Sequence, residues 1–318
     1  MSARNVVGAA QSHDCAALTA FGPRKKLWLL VAALPPTDAL ARVHSMECLA
    51  VPGRLPTADV LAWRAPSKEI GWMDNQTRAQ VLVDELRLER TPVAFAFVDE
   101  APEGVPVTTT LEPSACTFWR QAEHGLFYAA ADRHLECGVG TMTMGFELPA
   151  DRQPAAMELV GMMVEMGYLD STEPAHLPMV KKPHQGILYG PLASFPGEPD
   201  VALAIVSPSQ GMLLAEASDS VTLREQPGLP TFGRPACAAV AWTANEQDVT
   251  LSLGCIGART YVEVPDDRAI VVIPGTALDQ IAGKLGTLAK ANRDLAAFHQ
   301  KRKTDYAAPQ DGAQASTA

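Results

Sequence analysis

Phe232-Gly-Arg-Pro-Ala-Cys237, an alanine-rich segment, then Val249-Thr-Leu-Ser-Leu-Gly-Cys255-Ile-Gly-Ala-Arg-Thr-Tyr261: this stretch decides how the chain is read. Its two cysteines bracket a segment with helical and then strand character. The same grammar occurs earlier. Ala115-Cys116 opens a segment that runs through Leu126-Phe127-Tyr128 and closes on Cys137-Gly138-Val139-Gly140. A strand-like run precedes each unit, Val93 to Val98 and Val201 to Val206. The paired cysteines stand 21 residues apart in the first unit and 18 in the second. One repetition without a short recurring period means a duplication and not a solenoid. Duplicated halves packed about a pseudo-two-fold axis would bring the four thiols toward that axis. The expected fold class is α+β, or α/β, with two related halves, a mixed β-sheet and flanking helices.

Composition narrows the function. Aromatic residues make up only 6% of the 318, so the core has to be built from aliphatic side chains. The formal charge is −10 and no stretch is rich in lysine and arginine. A nucleic-acid binder needs a dense cationic face to displace counterions, and an anionic membrane surface asks for the same. Both partners are therefore excluded from the expectation. Six cysteines are too few for a disulfide scaffold of this length. The one export-like feature is Arg24-Lys25-Lys26 before the apolar run Leu27 to Leu34. That run begins late, ends in Pro35-Pro36 and falls well short of the roughly 20 residues that span a bilayer. A buried strand or short helix is the better reading, and a reducing cytoplasm the expected location.

Punctuation divides the chain. Prolines at Pro35, Pro36, Pro52, Pro56 and Pro66 interrupt every candidate element before about residue 75, so residues 1–75 read as an N-terminal extension. Cys15 and Cys48 lie there without a partner at metal-ligand spacing. A helix follows, capped by Asp74, Asn75 or Thr77, with Ala79, Leu82, Val83 and Leu86 on one face. A second helix is predicted from Pro154 to Met166, with Met157, Val160, Gly161 and Val164 inward and Met162, Met163 and Met166 as core filler. A last helix carries Leu278, Ile281, Leu285, Leu288 and Leu295 to about His299. Residues 301–318 read as a disordered tail, and residues 76–300 as the duplicated domain.

Two places could take a ligand. The loop Ser207-Pro-Ser209-Gln210-Gly-Met212 sits between a strand and a helix start, where free backbone N–H groups gather. Ser207 or Ser209 either binds there or caps the helix. Arg259 could clamp a substrate carboxylate bidentately, or belong to a structural ion pair. No Gly-x-Ser-x-Gly elbow, Walker motif or complete dinucleotide fingerprint is present.

The chain resembles the uncharacterised DUF169 (ArCR) family of archaea and bacteria. The residues that carry the likeness include Leu86 through Pro92-Val93-Ala94, Cys116, Cys137-Gly138 through Met144-Gly145, and Tyr189-Gly190-Pro191-Leu192. Pro199-Asp200-Val201, Pro208 to Leu213, Phe232-Gly233-Arg234, Cys237 and Leu253 to Arg259 complete it. The likeness covers about residues 77 to 290 and implies that the four unit cysteines belong to the family pattern. A lysine often found two residues after the Val-Ala of the first strand stands as Ala96 here. The family implies no activity.

Four thiolates suit zinc or an iron–sulfur cluster. Widely spaced single cysteines fit a cluster, such as 4Fe–4S, better than the Cys-x₂₋₄-Cys knuckle of zinc. Three readings stay open. Cys116, Cys137, Cys237 and Cys255 hold a metal or cluster in a redox protein, with a redox protein or small molecule as partner. Or the cysteines only pack, in a binding or accessory protein with its ligand at Ser207, Ser209, Gln210 or Arg259. Or they are two redox-active thiol pairs. A homodimer fits any of the three.

Overall fold

Alternation along one strand sets the two sides of the molecule. In β1 (Val93–Val98) the side chains of Val93, Phe95 and Phe97 enter one buried cluster, while Ala94 and Ala96 enter another. Successive strand residues point to opposite faces, so an all-apolar run means a strand covered on both. The structure, a computed structural model, describes residues 73–219 and 229–307. They belong to one compact unit, Lys68–Ala318.

The other strands are β2 (Phe127–Ala130), β3 (Gly186–Pro191), β4 (Val201–Val206), β5 (Thr231–Phe232), β6 (Thr250–Ser252) and β7 (Ala269–Pro274). They form one seven-stranded mixed sheet in the order β2-β3-β1-β4-β7-β6-β5. Every pairing is antiparallel except β5 with β6. β1 pairs along its whole length with β3, Val93 opposite Pro191 and Val98 opposite Gly186. Its pairing with β4 is short and covers only Val93, Ala94 and Phe95 against Leu203, Ala202 and Val201. Past that point Asp200 substitutes for a strand. Its Oδ2 accepts the Phe97 N–H at 2.8 Å, and Lys182 Nζ holds the carboxylate at 2.8 Å.

One face of the sheet carries α1 (Asn75–Leu86), α5 (Pro208–Ala217) and α8 (Leu278–Ala307), through Leu82, Leu86, Leu214, Ile281 and Leu285. The other carries four helices: α2 (Ala115–Gln121), α3 (Gly138–Thr143), α6 (Ala236–Glu246) and α7 (Ile256–Tyr261). The Asp74 side chain caps α1 by accepting the Thr77 N–H, and Arg87 ends it in the left-handed region at φ 55°. The mixed sheet with helices on both faces is the α+β architecture expected. The chain visits strands in a matching order on either side of the β1/β4 boundary: β1, β2, β3 stand as β1-β3-β2 outward, and β4, β6, β7 as β4-β7-β6.

Two expectations need correction. α4 (Gln153–Glu165) forms where predicted but buries no residue fully. Met157, expected on the inner stripe, is 67% exposed; of the methionines expected as core filler, Met162 and Met166 are exposed and Met163 is half-buried. The helix is apolar nearly all round, and such a sequence defines no single inward stripe. It touches its neighbours at Ala156, against Gly138, where a Cβ would come within 2.8 Å. The last helix runs on to Ala307, past His299, and Leu295 on the predicted inner face is exposed. Thirty residues make a helix of about 45 Å, and the twelve-residue α1 beside it covers less than half of that. Residues 1–72 of the N-terminal extension, with Cys15, Cys48 and the Leu27 to Leu34 run, lie outside the described residues, as does the end of the chain from residue 308. Among the described residues no helix is long and apolar enough to cross a membrane.

Candidate functional site

Each of the four cysteines sits at the start of a different helix, all on one face of the sheet. Cys116 is the second residue of α2, whose cap is Ser114; the Ser114 Oγ accepts the Cys116 N–H at 3.3 Å. Cys237 is the second residue of α6, preceded by Pro235 at the cap position. Cys137 and Cys255 are themselves N-caps. The Cys137 Sγ accepts the Gly140 N–H at 3.4 Å, and the Cys255 Sγ accepts the Ala258 N–H at 3.3 Å. Serine, threonine, asparagine or aspartate usually fills this position.

The local backbone is shaped to these thiols. Gly254, just before Cys255, has φ +81°, a conformation that side chains disfavour. Of the glycines after Cys137, Gly138 serves close approach, since a Cβ there would stand 2.8 Å from the Ala156 Cβ, whereas one on Gly140 would make only ordinary contact with the Cys137 Sγ at 3.4 Å. Packing closes the group: α2 lies against α3 and α7, and α3 against α6.

The thiols feel one another. Burial pushes the Cys116 thiol well above the ordinary thiol range, and the sulfurs of Cys237, Cys255 and Cys137 add to that push. Burial likewise drives Cys237 up to about 12, opposed by the Thr143 hydroxyl and reinforced by Cys137 and Cys255. Cys116 and Cys237 are buried, Cys137 and Cys255 half-buried, and all four are free of disulfides. Among the described residues, no three His, Cys, Asp or Glu side chains are drawn to a single point as a ready-made ion cage.

The other predicted ligand residues have structural partners. Ser207 caps α5, and Gln210 closes the box by returning its Oε1 to the Ser207 N–H at 2.6 Å. The Gln210 Nε2 also donates to the Leu86 carbonyl at 2.8 Å, tying α5 to the end of α1. Ser209 Oγ lies 3.1 Å from Ser207 Oγ. These three belong with α5 on the sheet face away from the cysteines. Arg259 is on the cysteine face. Its guanidinium donates to the carbonyls of Leu253 at 2.6 Å and Pro265 at 2.8 Å, so it pins the turn that presents Cys255.

A buried polar pair escaped the sequence reading. The Tyr189 hydroxyl lies 2.9 Å from His134 Nε2, and His134 Nδ1 lies 2.9 Å from the Ala130 carbonyl. Burial lowers His134 to about 4, so its ring is neutral near pH 7. Nδ1–H then donates to Ala130, and Nε2 accepts from Tyr189. Only the strand register, Phe127 opposite Tyr189, brings the two together; no spacing along the chain announces it.

An α+β domain with four cysteines gathered on one face of its sheet is what the described residues define. The chain belongs to the DUF169 family, described as uncharacterised ArCR, whose model matches residues 81–284. That match spans all seven strands and all four cysteines. An uncharacterised protein of Methanocaldococcus jannaschii is 27% identical over 218 residues, which cover 64% of this chain and 90% of that protein. No solved structure matches the chain.

Proposed function

We propose that the protein binds an iron–sulfur cluster through Cys116, Cys137, Cys237 and Cys255 and serves in electron transfer. The observation that carries the reading is the placement of four free cysteines, one at each of four helix starts, on one face of the sheet. The donor set is soft and uniform, which suits iron–sulfur chemistry or zinc. A single tetrahedral zinc would ask for sulfurs about 3.8 Å apart, from a zinc–sulfur bond of about 2.3 Å. A cluster reaches ligands that are spread wider, on separate loops. Cys116 and Cys237 are neutral thiols when nothing compensates their burial, and a bound cation would favour their thiolate forms. The same burial disfavours the thiol-oxidoreductase reading, because the attacking species in disulfide exchange is the thiolate.

A duplicated unit would explain the arrangement. Val93-Ala-Phe-Ala-Phe-Val98 in β1 and Val201-Ala-Leu-Ala-Ile-Val206 in β4 share four of six residues. Their pairing is centred on Ala94 opposite Ala202. Val93 faces Pro191 and Val201 faces Pro274, and each proline leads straight into a short 3₁₀ turn. The pairing of α2 with α7 repeats as α6 with α3. These correspondences support two halves about an axis at Ala94 and Ala202, each giving one buried and one half-buried sulfur.

Anaerobic purification followed by iron, sulfide and zinc analysis and a visible spectrum tests the proposal. Iron and sulfide with a thiolate-to-iron absorbance band are expected, lost in the Cys116→Ser/Cys237→Ser variant. A protein that stays colourless and metal-free after anaerobic reconstitution overturns it. Zinc without iron replaces the cluster with a structural ion.

A further inference from the structure

The correspondence between the two sides of the β1/β4 boundary breaks at one place beside the cysteines. Tyr189 pairs with Phe95 and with Phe127, and at the matching position Val272 pairs with Leu203 and with Thr250. A phenol thus stands where the other side has an aliphatic residue. The second break lies next to it. Cys137 follows Phe127 by ten residues, but Cys255 follows Thr250 by only five. The longer connection contains the turn Ala131–Arg133 and His134. The two departures meet in the Tyr189–His134 hydrogen bond of 2.9 Å, with both side chains fully buried.

This pair lies against the first cysteine helix. Phe118, two residues after Cys116, stacks on Tyr189 with ring centroids 5.6 Å apart and contacts the His134 ring at 5.0 Å. Cys116 and Tyr189 share one buried cluster, and burial pushes the Tyr189 phenol well above its ordinary range, with an ionised Cys116 adding to that push. Burying a hydroxyl and an imidazole in an otherwise apolar layer costs free energy unless each is bonded. Here both are bonded, and the network locks the tyrosine in one orientation: Ala130 carbonyl, imidazole, phenol. In such low-dielectric surroundings a fixed dipole acts strongly on nearby charge.

We propose that Tyr189, held by His134, is a positioning pair that makes the Cys116 side of the cysteine site electrostatically different from the Cys237 side. The proposal rests on the cluster reading given above. Polar groups around cluster sulfurs are among the protein's main means of setting reduction potential. Tyr189 and His134 act through the surroundings of Cys116 and are not ligands.

Three variants of the anaerobically reconstituted full-length chain test this: Tyr189→Phe, His134→Gln and, as the control at the matching position, Val272→Ala. Iron and sulfide content, melting temperature and a redox titration are measured for each. Tyr189→Phe is expected to keep its iron and sulfide and to change the oxidised-to-reduced ratio at fixed ambient potential about threefold or more. That is about 30 mV for a one-electron couple. His134→Gln should move it in the same direction, and Val272→Ala should lower the melting temperature without moving it. An unchanged ratio in Tyr189→Phe with iron retained, or an equal change in Val272→Ala, overturns the proposal and leaves the cluster reading intact. If Tyr189→Phe does not fold, His134→Gln decides by the same criterion. Absence of iron and sulfide from the wild-type chain removes the cluster reading and this inference together.

Discussion

Arg78 shows what one buried charge does for this fold. Its side chain is 3% exposed and bonded to Asp279 and Glu198 at 2.8 Å each, joining α1 to the start of α8 and to the loop before β4. Removing it leaves the mostly buried Asp279 carboxylate without its cation, while Glu198, 44% exposed, keeps its water. Arg78→Met is expected to cost about 1–3 kcal/mol in denaturant unfolding at pH 7. Its hydrogen bond holds the Asp279 carboxyl below the usual carboxylate range. A depressed folded value stabilises the fold above the unfolded pKa, and that contribution disappears as pH falls through the folded value. The gap between wild type and Arg78→Met should therefore narrow below about pH 4. Arg259 acts on a single turn. Its guanidinium fork spans the Leu253 and Pro265 carbonyls, which a lysine cannot match. Arg259→Lys should speed alkylation of the half-buried Cys255 in the metal-free protein while leaving Cys116 protected.

Among the elements, α5 and α4 make opposite cases. The Ser207–Gln210 box both starts α5 and fastens it to the Leu86 carbonyl. Ser207→Ala is expected to cost about 1 kcal/mol. Gln210→Ala should cost more, because it also leaves the α1 terminus unpaired; thermal melts of the two variants check the order. For α4, Met157→Gln should change stability by less than about 0.5 kcal/mol, whereas Met144→Ala, at a site with no exposure, should cost about 2–5 kcal/mol. The same contrast explains what could be read beforehand. β1 and β4 were legible because each is a six-residue apolar run, rich in Val, Phe and Ile and bounded by turn residues, which favours a strand covered on both faces. The α1 stripe was legible because Leu82 and Leu86 recur on a polar background. The burial of α4 was not, since methionine, leucine and valine on all sides mark no direction. The four cysteines were found by their place in a repeated pattern, but the Tyr189–His134 bond depends on β2–β3 register, which one sequence does not encode visibly.

At the scale of the whole molecule, the thiols couple stability to pH. Burial puts Cys237 at about 12 and Cys116 higher than an ordinary thiol, while both would sit near 8.5 in the unfolded chain. The folded state then keeps protons that the unfolded state releases. Stability of the metal-free protein should fall as pH rises from about 9 toward 12, read from urea midpoints across that interval. The sheet has its own weak place. Only three residue pairs join β1 to β4, the seam on which both flanks of the sheet depend. Asp200 and Lys182 brace one end of it. A join so narrow is where the sheet would part first under load, and the helices bearing the sulfurs straddle it. Anything bridging those sulfurs would work as a clasp, and slower deuterium uptake at the Val93 and Phe95 amides, which face β4, is where its grip would register.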